Sequence, residues 1–564
     1  MNLVHIYIGE HKAIRNLNIS FGGGVLCSVQ ERTIKISRLT DTSAYYHGFH
    51  CSALIGANGV GKSSALDFIE TAYFPTDSSG TLIFYEAKTE IFHICVINME
   101  ITICNKQHEI HYDYNHFATT HSVNIVKINN ISSAQNKLGY QKKHIHPLIH
   151  EHTLEEYTKS KIKQKQYFAN LLAYFRGSVQ RDGIVKDIGF EFTFNNSCSR
   201  VDRLFLESTF HIDHSKTISN LKEKFISKNS HPEWMTLGPN EIFQSLIKLN
   251  SISIIVELSA SRKMSDKRYL LAFLLKTYIE IDVSERYTNN TIALKQTIEA
   301  LRYLENWNIF SIPPSELENI QDVVDIERMQ LRLESIIELL ERIASLLSNY
   351  QFEFKNTDPA SVKIEDFYII SELTNIIVKL PPSISSNFSW GWRGVSTGEM
   401  ALSHLFSETY HYLRSAPKKR NSIFIIDEAD LYLHPEWQRS FLDTYLSHLK
   451  MLVDSASIFK PQILLSTHSP IIISDFLPQD ITSLTKDANG QVSLRESMGF
   501  GTNITNLFID GMHIDSTFGE HSRKAISTLI KKSQEGKLEK LDRVLIGSMG
   551  NKFIKEYLLE NDNV

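Results

Sequence analysis

Gly56-Ala57-Asn58-Gly59-Val60-Gly61-Lys62-Ser63 sets three glycines, a lysine and a hydroxyl in the spacing GxxxxGK[ST]. Glycines let consecutive backbone N–H groups turn inward around an anion, and the N-terminus of a following helix adds positive potential. In such a loop Lys62 would reach β- and γ-phosphates and the Ser63 hydroxyl would hold Mg²⁺. The chemistry requires a strand before the loop and a helix after it. Cys51 to Ile55 is an apolar run and Ala65 to Tyr73 reads as a helix, so the context is met. The candidate nucleotide-binding residues here are Gly56, Asn58, Gly59, Gly61, Lys62, Ser63 and Ser64.

Three more constellations belong with this loop. Ile423-Phe-Ile-Ile-Asp427-Glu428 is an apolar strand ending in two acids. Asp427 can serve the Mg²⁺ shell, usually through water, and Glu428 is placed to orient or deprotonate an attacking water. Val395-Ser396-Thr397-Gly398-Glu399 precedes a helix, where Ser396, Gly398 and Glu399 offer a second anion site or an ordinary N-cap. Leu464-Leu-Ser-Thr-His468 is a strand ending in an imidazole that could contact a γ-phosphate.

The elements that must position these residues follow from hydrophobic period. Val4, Ile6 and Ile8, then Ile14, Leu17 and Ile19, alternate as two strands before the Gly22-Gly23-Gly24 turn, and Ile91 to Ile103 alternates again. Ser422 to Ile426 and Gln462 to Ser466 read as strands buried in a parallel sheet. From about residue 140 helical patterns dominate, apart from a strand at Phe190 to Phe194. Ile326, Met329, Leu333, Ile336, Leu340, Ile343 and Leu347 are spaced by threes and fours, either an amphipathic helix on its own domain or a short coiled-coil-like arm. The histidines at 144, 146, 150 and 152, among lysines, read as a solvated basic loop.

Composition narrows the classes. The 564 residues carry 59 Lys+Arg against 64 Asp+Glu, a net charge of −5, with 42% hydrophobic and 22% charged residues, which describes a globular chain of several units. Such a balance gives no general case for nucleic-acid binding, so any such surface must be local. No apolar run is long enough to span a bilayer, and the N-terminus has no basic-then-apolar leader. Cys27, Cys51, Cys95, Cys104 and Cys198 form no CxxC pair, which fits reduced thiols in a cytoplasm.

Taken in this order, the four constellations resemble the ABC-type ATPase heads of the SMC, RecF and OLD families. By that resemblance Gly56 to Ser63 is Walker A, Ser396 to Glu399 the signature, Asp427-Glu428 Walker B and His468 the switch histidine. Glu428-Ala-Asp-Leu-Tyr-Leu-His-Pro-Glu-Trp437 is similar to the DExxLHLHPxxQ continuation of RecF- and OLD-like heads, with Tyr432 in place of the first His. More than half of the chain separates Lys62 from Ser396, far more than in a transporter domain, so an insertion must divide one head. The expected fold class is α/β: a mixed-sheet head (1–140 and 361–475) interrupted by a mainly helical insertion (141–360) and followed by an α/β tail (476–564). The resemblance further implies a homodimer or a higher even oligomer in which one copy's signature caps the other's ATP, with Gln135 completing the Mg²⁺ shell.

The tail has no Asp-x-Asp, and no acid ends Val544-Leu-Ile, so it lacks the metal-binding set of OLD-type Toprim nucleases. No HNH-like cluster is evident either. The short insertion and this tail look like the PtuA ATPases of Septu-type antiphage systems and their retron-associated versions. That resemblance implies a regulatory ATPase paired with a separate HNH nuclease, and in retrons with a reverse transcriptase and its RNA–DNA product. The alternative is a RecF- or SMC-like repair ATPase acting directly on DNA ends or single strands, through Lys159, Lys161, Lys163 and Lys165 with Tyr167 and Phe168, or through Lys418, Lys419 and Arg420.

Overall fold

The computed structural model describes residues 1–30, 32–129, 146–153, 161–177, 189–201, 203–204, 220, 223–226, 238–260, 267–284, 289–303, 325–350, 352–353, 360–393, 395–415, 420–487, 490–511, 516 and 518–560. Gln135, the candidate magnesium ligand, lies outside them, as do His144, Lys159, Lys418 and Lys419. Two compact units divide the chain: Met1–Lys159 with Ala401–Val564, and Ser160–Met400.

In the first unit the amino-terminal half supplies β1 (Asn2–His11), β2 (Ile14–Ser20), β3 (Val25–Gln30), β4 (Thr33–Arg38), β5 (Cys51–Gly56), helix α1 (Lys62–Thr71), β6 (Ser79–Glu86), β7 (Ile91–Ile97), β8 (Ile103–Cys104), β9 (His108–His111), α2 (Tyr114–Thr120), β10 (Val123–Asn129) and β11 (Ile149–Thr153). A five-stranded sheet runs β2-β1-β6-β7-β9. It is buried on both faces. Phe92, Ile94 and Val96 of β7 pack with Val25, Ile34 and Ile36 on one side. Cys95 and Ile97 pack with Phe68, Phe117 and Ile425 on the other. That two-sided burial explains why β7 is a nearly continuous apolar run.

The second unit holds α3 (Lys161–Gly177), β12 (Gly189–Phe194), α4 (Pro239–Leu258), α5 (Lys267–Val283), α6 (Asn290–Glu299), α7 (Ile326–Leu347), β13 (Phe352–Glu353), β14 (Ala360–Ile364), α8 (Phe367–Lys379) and β15 (Phe388–Arg393). Its sheet runs β13-β14-β12-β15, antiparallel throughout. β14 and β15, expected in the carboxy-terminal half of the head, therefore pair with β12 in this unit, which runs past the expected boundary at 360 to Met400. The seam of α7 is buried in the same core: Leu333, Leu340, Ile343 and Leu347 are all fully covered, beside Leu246 and Ile255 of α4. The face that could have formed an arm is spent on the unit's own interior, and Asp325 caps the helix through the Arg328 N–H at 2.9 Å.

Helix α9 (Thr397–Ser415) leads into β16 (Asn421–Asp427), α10 (Pro435–Ala456), β17 (Gln462–Ser466), β18 (Ile481–Lys486), β19 (Val492–Arg495), α11 (Glu520–Gln534), α12 (Lys540–Gly547) and α13 (Lys552–Glu560). A seven-stranded sheet, ordered β11-β10-β16-β17-β5-β18-β19, unites both halves of the first unit. All its pairs are parallel except β18 with β19. β18 and β19 were expected in a separate tail and instead extend this sheet, while Val544, Leu545 and Ile546 lie in helix α12 rather than on a strand. His150 and His152, expected in a solvated loop, sit on β11, where His152 Nδ1 lies 2.7 Å from the fully buried Glu408 carboxylate. Among the described residues no helix is long and apolar enough to cross a membrane.

Candidate functional site, a phosphate loop at the carboxyl ends of parallel strands

Strand order decides which residues meet. β17 lies between β5 and β16, and the three run parallel, so their carboxyl ends share one edge of the sheet. That edge is where open α/β sheets bind ligands. It receives the loop after β5, Asp427-Glu428 after β16 and Thr467-His468 after β17.

The loop is shaped by its glycines. Gly56, Gly59 and Gly61 have φ of 142°, 77° and 109°, values that side chains with a Cβ rarely adopt. Gly56 is also pinned sterically, since a Cβ there would stand 2.3 Å from the Leu484 carbonyl of the neighbouring β18. Gly59 faces open space, and Ala57, Asn58 and Gly59 are exposed. Lys486 donates to the Gly59 carbonyl at 2.6 Å and so ties the loop to the end of β18. Ser63 and Ser64 open α1, where backbone N–H groups have no intrahelical acceptor.

Lys62 is only 7% exposed. Its ammonium donates to the carbonyls of Gly56 at 3.0 Å and Ala57 at 3.3 Å, and lies 2.9 Å from His468 Nε2. Burial lowers the Lys62 pKa despite the nearby Asp427, Glu428 and Asp430. Burial, then the Lys62 charge, lowers that of His468 as well. A neutral imidazole protonated on Nδ1 is the form that can accept from Lys62 through Nε2.

The two proposed magnesium ligands touch. Ser63 Oγ donates to Asp427 Oδ2 at 2.9 Å. This hydroxyl and carboxylate present hard oxygen donors, the set Mg²⁺ takes beside substrate phosphates, so the residues fit a metal–nucleotide complex. Asp427 is held from both sides of its strand: its N–H donates to Asn129 Oδ1 at 3.1 Å, and Ser466 Oγ donates to its other oxygen. The same Ser466 hydroxyl accepts from the Glu428 N–H at 2.9 Å.

Glu428 has φ 51°, a left-handed conformation costly for a side-chain-bearing residue, held by that bond to Ser466. Burial, with the adjacent Asp427 and Asp430 charges, raises its pKa. A carboxylate of raised basicity beside the Lys62 ammonium is equipped to take a proton from water. Asp430 accepts from the His468 N–H at 2.9 Å and from the Thr467 hydroxyl, which fixes the imidazole-bearing turn.

Lys62, Ser63, Asp427, Glu428 and His468 thus form one cluster. Ser396, Gly398 and Glu399 belong to the second unit. There the Ser396 hydroxyl accepts from the Glu399 N–H at 3.2 Å, and the Ser396 N–H donates to the Glu399 carboxylate at 2.7 Å, a reciprocal cap at the start of α9. Of the candidate basic surface residues, Lys163 is exposed and Arg420 donates to Asn124 Oδ1 at 3.4 Å, against β10. Sequence reading missed Ser466, Asp430, Asn129 and Lys486. The one available signal was a small hydroxyl residue, Ser466, closing an otherwise apolar strand.

A family model for the AAA ATPase domain matches residues 28–473, and the chain belongs to that family. Both strand-end acids and the phosphate loop fall inside the match, whereas α11 to α13 fall outside it. Over 124 residues, 21% of this chain, it is 30% identical to the Septu protein PtuA of Bacillus thuringiensis; the alignment spans 29% of that protein.

Proposed function

We propose that the chain binds and hydrolyses ATP with Mg²⁺ at the edge built by β5, β16 and β17, and that it does so as a pair of copies in the cytoplasm. The observation that carries this reading is the convergence of Lys62, Ser63, Asp427, Glu428 and His468 at three adjacent strand ends. Lys62 and the loop N–H groups hold the phosphates. Ser63 and Asp427 hold Mg²⁺, which supplies neutralisation of charge on the phosphates. Glu428 orients and deprotonates the attacking water, and His468 reads the γ-phosphate through the same lysine. Ser396, Gly398 and Glu399 of one copy cap the nucleotide of the other. The N–H groups and hydroxyl now closed in the Ser396–Glu399 cap are the donors such a phosphate would take over.

In this reading ATP occupancy governs a separate HNH nuclease in a Septu-like or retron defence complex. Support comes from the local similarity to PtuA and from a carboxy-terminal helical segment that the ATPase family match does not cover. The test is to look for a small HNH protein encoded beside the chain, purify the two together and assay cleavage with ATP, without ATP, and with Ser396→Arg; the lack of any such neighbour would itself count against the reading. Nuclease output that changes with ATP in the wild type, and a pair that fails to form for Ser396→Arg by light scattering, are the expected results. A chain that cuts nucleic acid on its own with Mg²⁺ or Mn²⁺ would overturn the assignment.

A further inference from the structure

Away from the phosphate loop, the five-stranded sheet gathers a second set of ligand-type side chains. β7 and β9 are parallel neighbours, with His93 opposite Glu109 and Cys95 opposite His111. Because side chains alternate along a strand, His93, Glu109 and His111 share one face, and Phe92, Ile94 and Ile110 point to the other. Their donor atoms converge: His93 Nδ1 lies 3.1 Å from His111 Nε2 and 3.3 Å from Glu109 Oε2, and His111 Nε2 lies 3.8 Å from the same oxygen. Ligands around a tetrahedral Zn²⁺, with bonds of about 2.0–2.2 Å, stand about 3.3–3.5 Å apart. These separations therefore lie close to one face of such a tetrahedron.

We propose that His93, Glu109 and His111 bind a divalent cation of the zinc class, which fastens the edge strand β9 to β7. Two imidazoles and a carboxylate are a borderline-soft set that suits Zn²⁺ rather than Mg²⁺ or Ca²⁺. The triad is built rather than incidental. The His93 side chain is 4% exposed, and Phe117 packs on both imidazoles at 5.6 and 4.7 Å between ring centroids. His93 Nε2 is buried with no hydrogen-bond partner, so the ring engages polar groups only through the nitrogen that faces the triad. Glu109 is 55% exposed, so a cation can enter from solvent and keep water as its fourth ligand. β9 has only four residues and, among the described residues, no strand on its outer side, which gives the cation a mechanical role: it replaces missing ladder bonds with two β9 ligands held against one from β7.

The test uses the full chain without nucleotide, after exhaustive chelation and dialysis. Co²⁺ is titrated while the visible bands of a tetrahedral complex are followed, and Zn²⁺ is then used to displace it. One equivalent should bind, and Zn²⁺ should raise the melting temperature. Glu109→Gln changes an exposed side chain and His111→Asn a partly buried one, and circular dichroism checks that each variant is folded. Each should weaken binding by more than the roughly 10–100-fold that loss of an outer-shell partner costs, and should abolish the thermal shift. Asp427→Asn should change neither readout. A wild type that binds no Co²⁺, binding indifferent to Glu109→Gln and His111→Asn, or binding lost with Asp427→Asn would each overturn the proposal.

Discussion

The two units differ in what their buried groups are for. In the first, buried and half-buried polar side chains collect where parallel strands end: Lys62, Asp427, Glu428 and Ser466 all lie at one edge, and two of the ionisable ones are shifted by burial in the direction that costs charge. In the second, the core is Leu, Ile, Phe and Val from α4 to α8 and β12 to β15, with no comparable gathering of charge among the described residues. The difference shows a division of labour in the chain. One unit spends stability to hold reactive groups in strained or desolvated positions, and the other rests mainly on apolar burial, with its buried polar groups paired off, as Asn387 is with Asn250 and Ser253. Substitutions should therefore separate into those that change binding and turnover and those that change folding.

The largest expected effect is at Lys62. Lys62→Ala should abolish ATP binding in a nucleotide titration while leaving secondary structure intact, because it removes the buried cation proposed to hold the phosphates. Retained binding would dissolve the contrast between the units at its root. Next comes Glu428→Gln, which keeps the side-chain shape and removes the base. It should bind ATP and lose turnover by roughly 10²–10⁴-fold. Wild-type turnover in this variant would take Glu428 out of the water-activating role and leave only electrostatic positioning at that strand end.

How much of this contrast could be read beforehand depends on how local each feature is. The phosphate loop and Asp427-Glu428 are contiguous, and each has a strand and a helix in the right order, so residue types alone expose them. Asn129 and Asp430 were invisible, and Ser466 showed only as a hydroxyl at a strand end, because their partners come from other strands, and only the β10-β16-β17 register brings them to Asp427 and His468. His93, Glu109 and His111 were invisible for the same reason: β7 and β9 are joined through a segment whose pairing no local pattern reveals. The seam of α7 was visible as a seam, but apolar spacing cannot say whether the surface it meets belongs to the same unit or to another chain. The strand β11 escaped notice because its alternation, Ile149-His-Glu-His-Thr153, is polar in composition. It is completed by the contact of His152 with the buried Glu408 carboxylate as well as by packing of Ile149 on the apolar core.

A core truncation sharpens the comparison from the other side. Leu340 is fully buried on α7, and Leu340→Ala should destabilise the second unit by about 2–5 kcal/mol, the cost of lost transfer free energy plus the cavity left behind. Urea unfolding should show an earlier transition, while ATP affinity of the still-folded chain at low denaturant stays at the wild-type value. Proportional loss of affinity would mean that the second unit holds the nucleotide site in shape and that the division of labour is not as drawn.

The smallest effect expected is also the one that tests the cost assigned to the first unit. Burial and the neighbouring Asp427 and Asp430 raise the folded-state pKa of Glu428 above its unfolded value. A carboxyl shifted upward contributes stability when both states are protonated, below the unfolded pKa, and that contribution is lost as pH rises through the folded pKa. At neutral pH the ionised Glu428 is therefore a burden on the nucleotide-free protein. Glu428→Gln should melt a few degrees higher than the wild type near pH 7. Lowering the pH through the raised pKa protonates the wild-type carboxyl, relieves the repulsion, and should shrink the advantage. A melting difference that is absent at neutral pH, or that grows on acidification, would show that the strained turn at φ 51° is held without electrostatic cost and that reactive placement in this unit is less expensive than its geometry implies.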